Sequence, residues 1–329
     1  MVVRRILFFC LVVVVLTCGA TAWWLHHPLT LKNTPLDLAI EPGSSARAVA
    51  QALAEAGVAV EPSWMHLLFR LSGSERMIKA GNYELDNRTT PLTLLKKLVR
   101  GEESLLAVTL VEGWNIRQVR AALSTATLLR PDTAELSHEA LMEKLGRPGL
   151  HPEGRFFPDT YTYAKNSSDL VVLQRAMRAM NRQLEIAWTQ RSSELALKSP
   201  EDLLILASIV EKETGRAADR QFVSAVFNNR LRLGMMLQTD PTVIYGMGAH
   251  FDGNLRKADL QRDTPWNTYT RAGLPPTPIA MPGKASLLAA GHPAPSKALY
   301  FVARGDGTSE FSATLDEHNR AVNKYQRGK

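Results

Sequence analysis

Residues 6–25 carry no charged side chain, and no other stretch of this 329-residue chain is as long and as apolar. About 20 apolar residues, rising about 1.5 Å each, cross the roughly 30 Å hydrocarbon layer of a bilayer as one helix. Arg4 and Arg5 precede the run, which favours a cytoplasmic N-terminus, and Trp23-Trp24 close it, where indole rings settle at the far interface. Ala20-Thr21-Ala22 has the small-residue pattern of a cleavage site, and Leu16-Thr17-Cys18-Gly19 faintly follows a lipoprotein site, with Thr where a smaller residue belongs. The run nevertheless exceeds the roughly 7–15 residues of a signal-peptide core. The expectation is a retained single-pass anchor over residues 6–25, residues 1–5 cytoplasmic, and everything from His26 onward outside the cytoplasm.

That placement changes how the charge is read. A net charge of +7 in the cytoplasm would raise nucleic-acid binding. Outside it, the excess suits anionic lipid headgroups or an anionic polymer, and no nucleic-acid partner is expected. With 45% hydrophobic and 22% charged residues, the chain buries enough apolar surface to order itself. Its length exceeds what one core usually supports, so two folded units beyond the anchor are expected. Cys10 and Cys18 both lie in the apolar run, which leaves the remainder without a disulfide, a cysteine metal site or a thiol nucleophile.

After a polar, proline-bounded tether over residues 26–35, the alternation Leu36-Asp37-Leu38-Ala39-Ile40 reads as a half-buried strand. Ser44 or Ser45 can cap a helix with Val49, Leu53 and Ala56 on one face, ended by Gly57. Pro62 opens a second helix, residues 81–85 return as a strand, and residues 91–99 form a helix closed by Gly101. This strand–helix–helix–strand order over residues 36–104 resembles the LysM-like glycan-binding module. Residues 105–111 alternate as a further strand and residues 117–123 as a short helix. Residues 124–149 are polar, so 105–148 is expected to connect the halves and 149–329 to form the larger domain.

Within that second half, Ser199-Pro200-Glu201-Asp202 marks a helix start, with a Ser cap, Pro in the first turn and Asp202 placed for a capping box. Leu203, Leu204, Ile205, Leu206, Ala207, Ile209 and Val210 then make the helix apolar on nearly all sides, which requires burial in a core. It runs into Glu211-Lys212-Glu213-Thr214, so two carboxylates emerge from a buried helix end. Desolvation and the partial negative charge of a helix C-terminus both favour the protonated acid. At 100° per residue Glu213 falls beside Leu206, Ile209 and Val210, and Glu211 beside Leu204, Ala207 and Ser208. Either is a candidate general acid on this reading. Residues 218–233 read as a helix closed by Gly234. The loops beyond it, with Gln238, Thr239, Thr242, Tyr245, Trp266, Asn267 and Tyr269, offer neutral donors and flat rings of the kind sugars need. HExxH, Walker, GxGxxG and GxSxG patterns are absent from the sequence, and neither cofactor nor metal is expected.

Ala207-Ser208-Ile209-Val210-Glu211-Lys212-Glu213-Thr214, Phe227-Asn228-Asn229-Arg230-Leu231 and Leu237-Gln238-Thr239-Asp240-Pro241-Thr242-Val243-Ile244-Tyr245-Gly246 resemble the endolytic murein transglycosylase family, MltG/YceG-like. Glu153-Gly154-Arg155-Phe156-Phe157-Pro158-Asp159-Thr160-Tyr161, Asn267-Thr268-Tyr269 and Gly273-Leu274-Pro275-Pro276 extend the likeness, which is dense over residues 153–319 and looser before. The resemblance implies a bitopic inner-membrane enzyme with its catalytic domain in the periplasm. It implies cleavage inside peptidoglycan strands between N-acetylmuramic acid and N-acetylglucosamine, and 1,6-anhydro ends that limit strand length. It implies Glu213 as catalytic residue and peptidoglycan synthases (penicillin-binding proteins) as neighbours. Glu211, Thr214, Asn229, Gln238, Asp240, Thr242, Tyr245, Asn267 and Tyr269 are the substrate-binding candidates. The fold expected is α+β: a transmembrane helix, a LysM-like module and a larger mixed α/β catalytic domain whose buried helix bears the catalytic Glu. Competing readings are a hydrolase pairing Glu213 with Asp240 or Glu211, and a non-catalytic peptidoglycan-binding scaffold.

Overall fold

A computed structural model describes residues 2–328, with the side chain of Val2 left aside. Met1, in the segment expected to be cytoplasmic, and Lys329, closing the larger domain, lie outside the described residues. The chain divides into two compact units, Met1–Leu106 with Tyr163–Asn166, and Ala107–Thr162 with Ser167–Lys329.

In the first unit, α1 (Val2–His26) is the one described helix long and apolar enough to cross a membrane, and none of its apolar window is buried. After it come β1 (Leu36–Ile40), α2 (Ala46–Ala56), α3 (Pro62–Leu71), β2 (Gly81–Leu85) and α4 (Pro91–Arg100). β1 and β2 pair antiparallel, Leu38 opposite Tyr83 and Leu36 opposite Leu85, so alternate residues of both strands enter one core. Met65 and Phe69 of α3 and Leu94 and Leu98 of α4 close that core. Local chemistry sets the helix ends. Ser45 Oγ accepts from the Ala48 N–H, Gly57 terminates α2 at φ 106°, and Thr90 and Thr93 form a reciprocal capping box on α4.

The second unit contains most of β3 (Leu105–Thr109) and of β4 (Thr160–Ala164), whose residues 105–106 and 163–164 fall in the first, with α5 (Ile116–Ser124), α6 (His138–Lys144), α7 (Asp169–Thr189) and α8 (Pro200–Glu213). It continues through α9 (Arg220–Arg232), α10 (Asp240–Met247), α11 (Lys257–Gln261), α12 (Lys284–Gly291), the antiparallel hairpin β5 (Tyr300–Ala303) and β6 (Ser309–Ser312), and α13 (Leu315–Gln326). The protein is therefore α+β in class, with an N-terminal apolar helix. The segment expected to connect the halves, 105–148, packs into this unit from residue 107 onward. Val119 and Leu123 of α5, a helix expected over 117–123, and Leu141 and Met142 of α6 are buried; α6 contributes too few apolar residues to stand out in the polar stretch 124–149.

At the centre lies α8, whose residues 203–210 are all buried. It packs against α7, α9, α10 and α12, with Leu203, Leu206, Ile209 and Val210 among Met180, Val223, Phe227, Ile279 and Leu287. Ser199 Oγ accepts the Asp202 N–H, as expected of its cap. Asp202 does not complete a capping box: its Oδ2 accepts from the Lys198 N–H at 2.7 Å, one residue farther back. Residues 240–247, expected as loop, form α10, with Pro241 in the first turn where a missing N–H costs nothing. Leu206 is fully buried. Leu206→Ala is expected to lower unfolding free energy by about 3 kcal/mol in urea titration, because the walls around it cannot collapse into the void.

Candidate active site

The buried α8 ends at Glu213 and delivers its side chain, half-buried, into an open cleft of about 460 Å³ in the second unit. The cleft is lined by Glu213, Gln238, Asp240 and Tyr269, with Arg230, Tyr300, Phe301, Leu315, His318 and Asn319. Burial pushes the Glu213 carboxyl above its ordinary range. The Thr239 hydroxyl, which donates to Glu213 Oε1, pulls the other way, and the negative charge of Asp240 adds to the upward push. Ionisation is opposed there and proton donation favoured.

The neighbouring glutamate has a different fate. Glu211 Oε2 accepts the N–H of Gly283 at 2.9 Å, the N-cap residue of α12. A carboxylate at a helix N-terminus is stabilised by the partial positive charge of its unpaired N–H groups. Glu112 lies close to the same glycine, since a Cβ on Gly283 would fall 1.9 Å from its Oε1. Burial raises the Glu112 carboxyl, with Glu211's charge adding to the effect. The two glutamates that the sequence left equivalent are thus separated, Glu211 onto α12 and Glu213 into the cleft.

Of the other candidates, Gln238, Asp240 and Tyr269 join Glu213. Gln238 adopts a left-handed backbone, φ 52°, its N–H held by the Thr268 carbonyl at 3.1 Å. A non-glycine residue in that conformation costs on the order of 1 kcal/mol and persists where surrounding bonds enforce it. Tyr269 donates its hydroxyl to Asp240 Oδ1 at 2.5 Å, and its backbone N–H to Asn267 Oδ1 at 2.8 Å. Asn267 is fully buried, its Nδ2 donating to the carbonyls of Leu260 and Arg262. It orders the loop that carries Tyr269 and does not line the cleft. Thr242 is also fully buried, bonded to the Thr239 carbonyl and the Thr268 hydroxyl. Asn229 Nδ2 ties α9 to the Ser296 and Ala298 carbonyls. Thr214 caps α8 by donating its hydroxyl to the Val210 carbonyl at 2.7 Å.

Tyr245 points to the other side of α10, where its hydroxyl meets Glu153 and its ring packs edge-on against Trp266 at 5.6 Å between centroids. Glu153 is fully buried and both carboxylate oxygens accept from the Ile116 N–H, at 3.0 and 3.2 Å. Burial raises it to about 7, against the donated bonds of Ile116 and Tyr245.

Residues unforeseen from sequence are Arg230 and the C-terminal wall. Arg230 Nε donates to the Leu299 carbonyl at 2.7 Å, and its guanidinium lies 5.1 Å from the centre of the Tyr300 ring. His318 stacks on the other partner of that pair, 5.2 Å from Tyr300 between centroids, and burial lowers its pKa. The Asn229-Arg230 motif offered a signal for the first; the wall residues sit in no motif.

A desolvated carboxyl opening into a polar and aromatic cleft has the surroundings a general acid needs. Comparison with known proteins agrees with the motifs: residues 38–324 match the YceG-like family, and the chain belongs to that family. A protein of Bacillus subtilis named endolytic murein transglycosylase is 34% identical over 312 residues, covering 89% of this chain and 85% of that one. One of the same name from Streptococcus pneumoniae is 26% identical, covering 88% of this chain and 58% of its own length. The crystal structure of a yceG-like protein from Listeria monocytogenes superposes with a TM-score of 0.56 at 28% identity, over 87% of this chain and 98% of that one.

Two outcomes follow. Thr239→Val removes the bond that favours the ionised form of Glu213, so the carboxyl should titrate at higher pH than in the wild type, followed by carbon-13 NMR of the glutamate carboxyls. For Glu153, the folded acid titrates near 7 and the ordinary acid near 4.5, so between these values the native state keeps a proton that the unfolded chain has released. Stability should therefore fall as pH rises through that window and level off above it. The loss is on the order of 3 kcal/mol, and Glu153→Gln should flatten the slope when urea midpoints are compared at about pH 5 and about pH 8.

Proposed function

We propose that this protein is a membrane-anchored endolytic murein transglycosylase, and that Glu213 is its catalytic residue. The observation that carries the reading is the Glu213 carboxyl, raised by burial and opening into a polar and aromatic cleft of about 460 Å³. Protonated Glu213 donates to the glycosidic oxygen between N-acetylmuramic acid and N-acetylglucosamine as the bond breaks through an oxocarbenium-like state. The carboxylate so formed takes the proton of the muramic 6-hydroxyl, whose oxygen attacks the anomeric carbon of its own ring. A 1,6-anhydro end and a new free 4-hydroxyl result, water is not consumed, and Glu213 ends protonated. Glycosidases that use water or a covalent intermediate need two carboxylates; here the substrate's own hydroxyl replaces the second.

Gln238 and Tyr269 are suited to the sugar rim, Tyr300 to a ring face, and Arg230 supplies fixed positive charge at the cleft wall. In the same reading, α1 is a retained single-pass anchor in the inner membrane with its N-terminus cytoplasmic, and the second unit is the periplasmic catalytic domain, working beside strand-polymerising synthases. The β-α-α-β order of residues 36–85, with β1 and β2 antiparallel, supports a LysM-like glycan-binding role for the module.

A second reading, hydrolysis by a carboxylate pair, rests on Asp240 lining the same cleft. Its Oδ1 is already engaged by the Tyr269 hydroxyl, which leaves it poorly placed as a free base. Mass spectrometry of products from purified glycan strands separates the two, since hydrolysis adds one water and leaves a reducing end. Glu213→Gln should retain the wild-type unfolding transition and lower the rate of anhydro-end formation by roughly 10²–10⁴-fold. Undiminished cleavage by that variant would remove Glu213 from the mechanism.

A further inference from the structure

The first unit carries an apolar surface that neither a glycan module nor a catalytic cleft accounts for. On α3, Met65 and Phe69 face inward and are fully buried. On the outward side stand Trp64, 60% exposed, Leu67, 42%, and Leu71, 78%; Met77 follows in the next turn at 56%. Spacings of three and four residues place Trp64, Leu67 and Leu71 within one arc of about 60° on the helix. Scattered exposed apolar residues are ordinary, whereas a continuous stripe headed by a Trp marks an interaction surface.

What meets that stripe follows from where the chain leaves α1. α1 ends at His26, and Leu29 is already buried in the module core, its N–H on the Thr89 carbonyl at 2.8 Å. Trp24, in the last turn of α1, packs against the same core. The intervening His27-Pro28 can reach only about 10 Å even when extended. The next residues run alongside the chain that leads into α3. Thr30 accepts from the Ala59 N–H at 2.8 Å, Leu31 bridges Val58, and Lys32 donates to the Gly57 carbonyl at 2.9 Å. Pro62, the first residue of α3, comes three positions after Ala59. If α1 spans a bilayer with Trp23 and Trp24 at its interface, the module has no free tether, and the first turn of α3 sits beside the point where the chain emerges. Exposed Arg70 and Arg76 stand near the stripe together with exposed Glu61 and Glu75, so its seating rests on the apolar side chains rather than on net charge.

We infer that the Trp64–Leu67–Leu71 face of α3, with Met77, is a second membrane contact that seats the module on the outer face of the lipid bilayer. This rests on the reading of α1 as a retained anchor, and the experiment keeps the two apart. Single cysteines replace Trp64, Leu67, Leu71 or Ala39 in the full-length chain with Cys10 and Cys18 changed to serine, while a companion chain keeps Cys18 alone. Ala39 is the control, exposed on the face of β1 that points away from the core closed by α3. Each is labelled with an environment-sensitive fluorophore and reconstituted into vesicles of phosphatidylethanolamine and phosphatidylglycerol carrying nitroxide lipids at headgroup or mid-chain depth.

The expected result is loss of emission at Cys18 with mid-chain nitroxide, loss at positions 64, 67 and 71 with headgroup nitroxide, and unchanged emission at 39. Quenching at Cys18 with positions 64, 67 and 71 behaving like 39 overturns the membrane contact while leaving the anchor intact, and assigns the stripe to a protein partner. An unquenched Cys18 removes the anchor and the proposal with it.

Discussion

Everything distinctive in the second unit depends on one helix being denied water. Residues 203–210 of α8 have no solvent-facing side, walled by α7, α9, α10 and α12. A helix packed all round cannot rotate without opening voids, and voids in a close-packed interior cost the contacts on both sides. Its last turn is therefore held, and the direction of each side chain leaving it is settled. Glu211 and Glu213 are two residues apart, which on a helix is about 200° of rotation. One meets the N-terminus of α12 and the other the cleft.

Desolvation is the dominant influence on Glu213, outweighing the Thr239 bond that opposes it. Burial also raises Glu153, yet the two carboxyls differ in surroundings. Glu153 is sealed, with both oxygens taken by the Ile116 N–H and the Tyr245 hydroxyl at its side. No substrate atom reaches it, and its raised value expresses itself as pH-dependent stability. Glu213 keeps one side open. A perturbed acid becomes a catalytic candidate only when a cleft gives it something to protonate.

Much of this was legible because helix ends are local events. Ser45, Thr90 and Ser199 each accept a backbone N–H within three residues, so a few letters of sequence suffice to place α2, α4 and α8. Apolarity on all faces likewise announced the burial of α8. Legibility failed where evidence was spread thin. α6 buries only a few side chains, so residues 124–149 read as a polar connection, whereas α5 is legible over 117–123. α10 is short, with Gly246 near its end, which leaves little helical pattern to read although Pro241 at its start suits a helix. At the site, Gln238, Asp240 and Tyr269 fell where the motifs pointed, but Asn229, Thr242 and Asn267 spend their polar groups on backbone carbonyls and a neighbouring hydroxyl. Sequence shows a donor without showing what it is already bonded to.

From residue order alone came the apolar N-terminal helix, the strand–helix–helix–strand module, the buried helix ending in acids and the family likeness. Each is written in periodicity or in contiguous motifs, and so needs no knowledge of distant neighbours. The resemblance singled out Glu213, and tertiary structure supplied the different partners of the two glutamates, because the N–H of Gly283 and the hydroxyl of Thr239 arrive from segments far along the chain. Tertiary structure alone raised the far wall of the cleft, from Tyr300 and Phe301 on the hairpin and His318 on α13, 87 to 105 residues from Glu213. It alone left Trp64, Leu67 and Leu71 facing outward, since helical spacing marks an apolar face without saying whether protein or lipid will cover it.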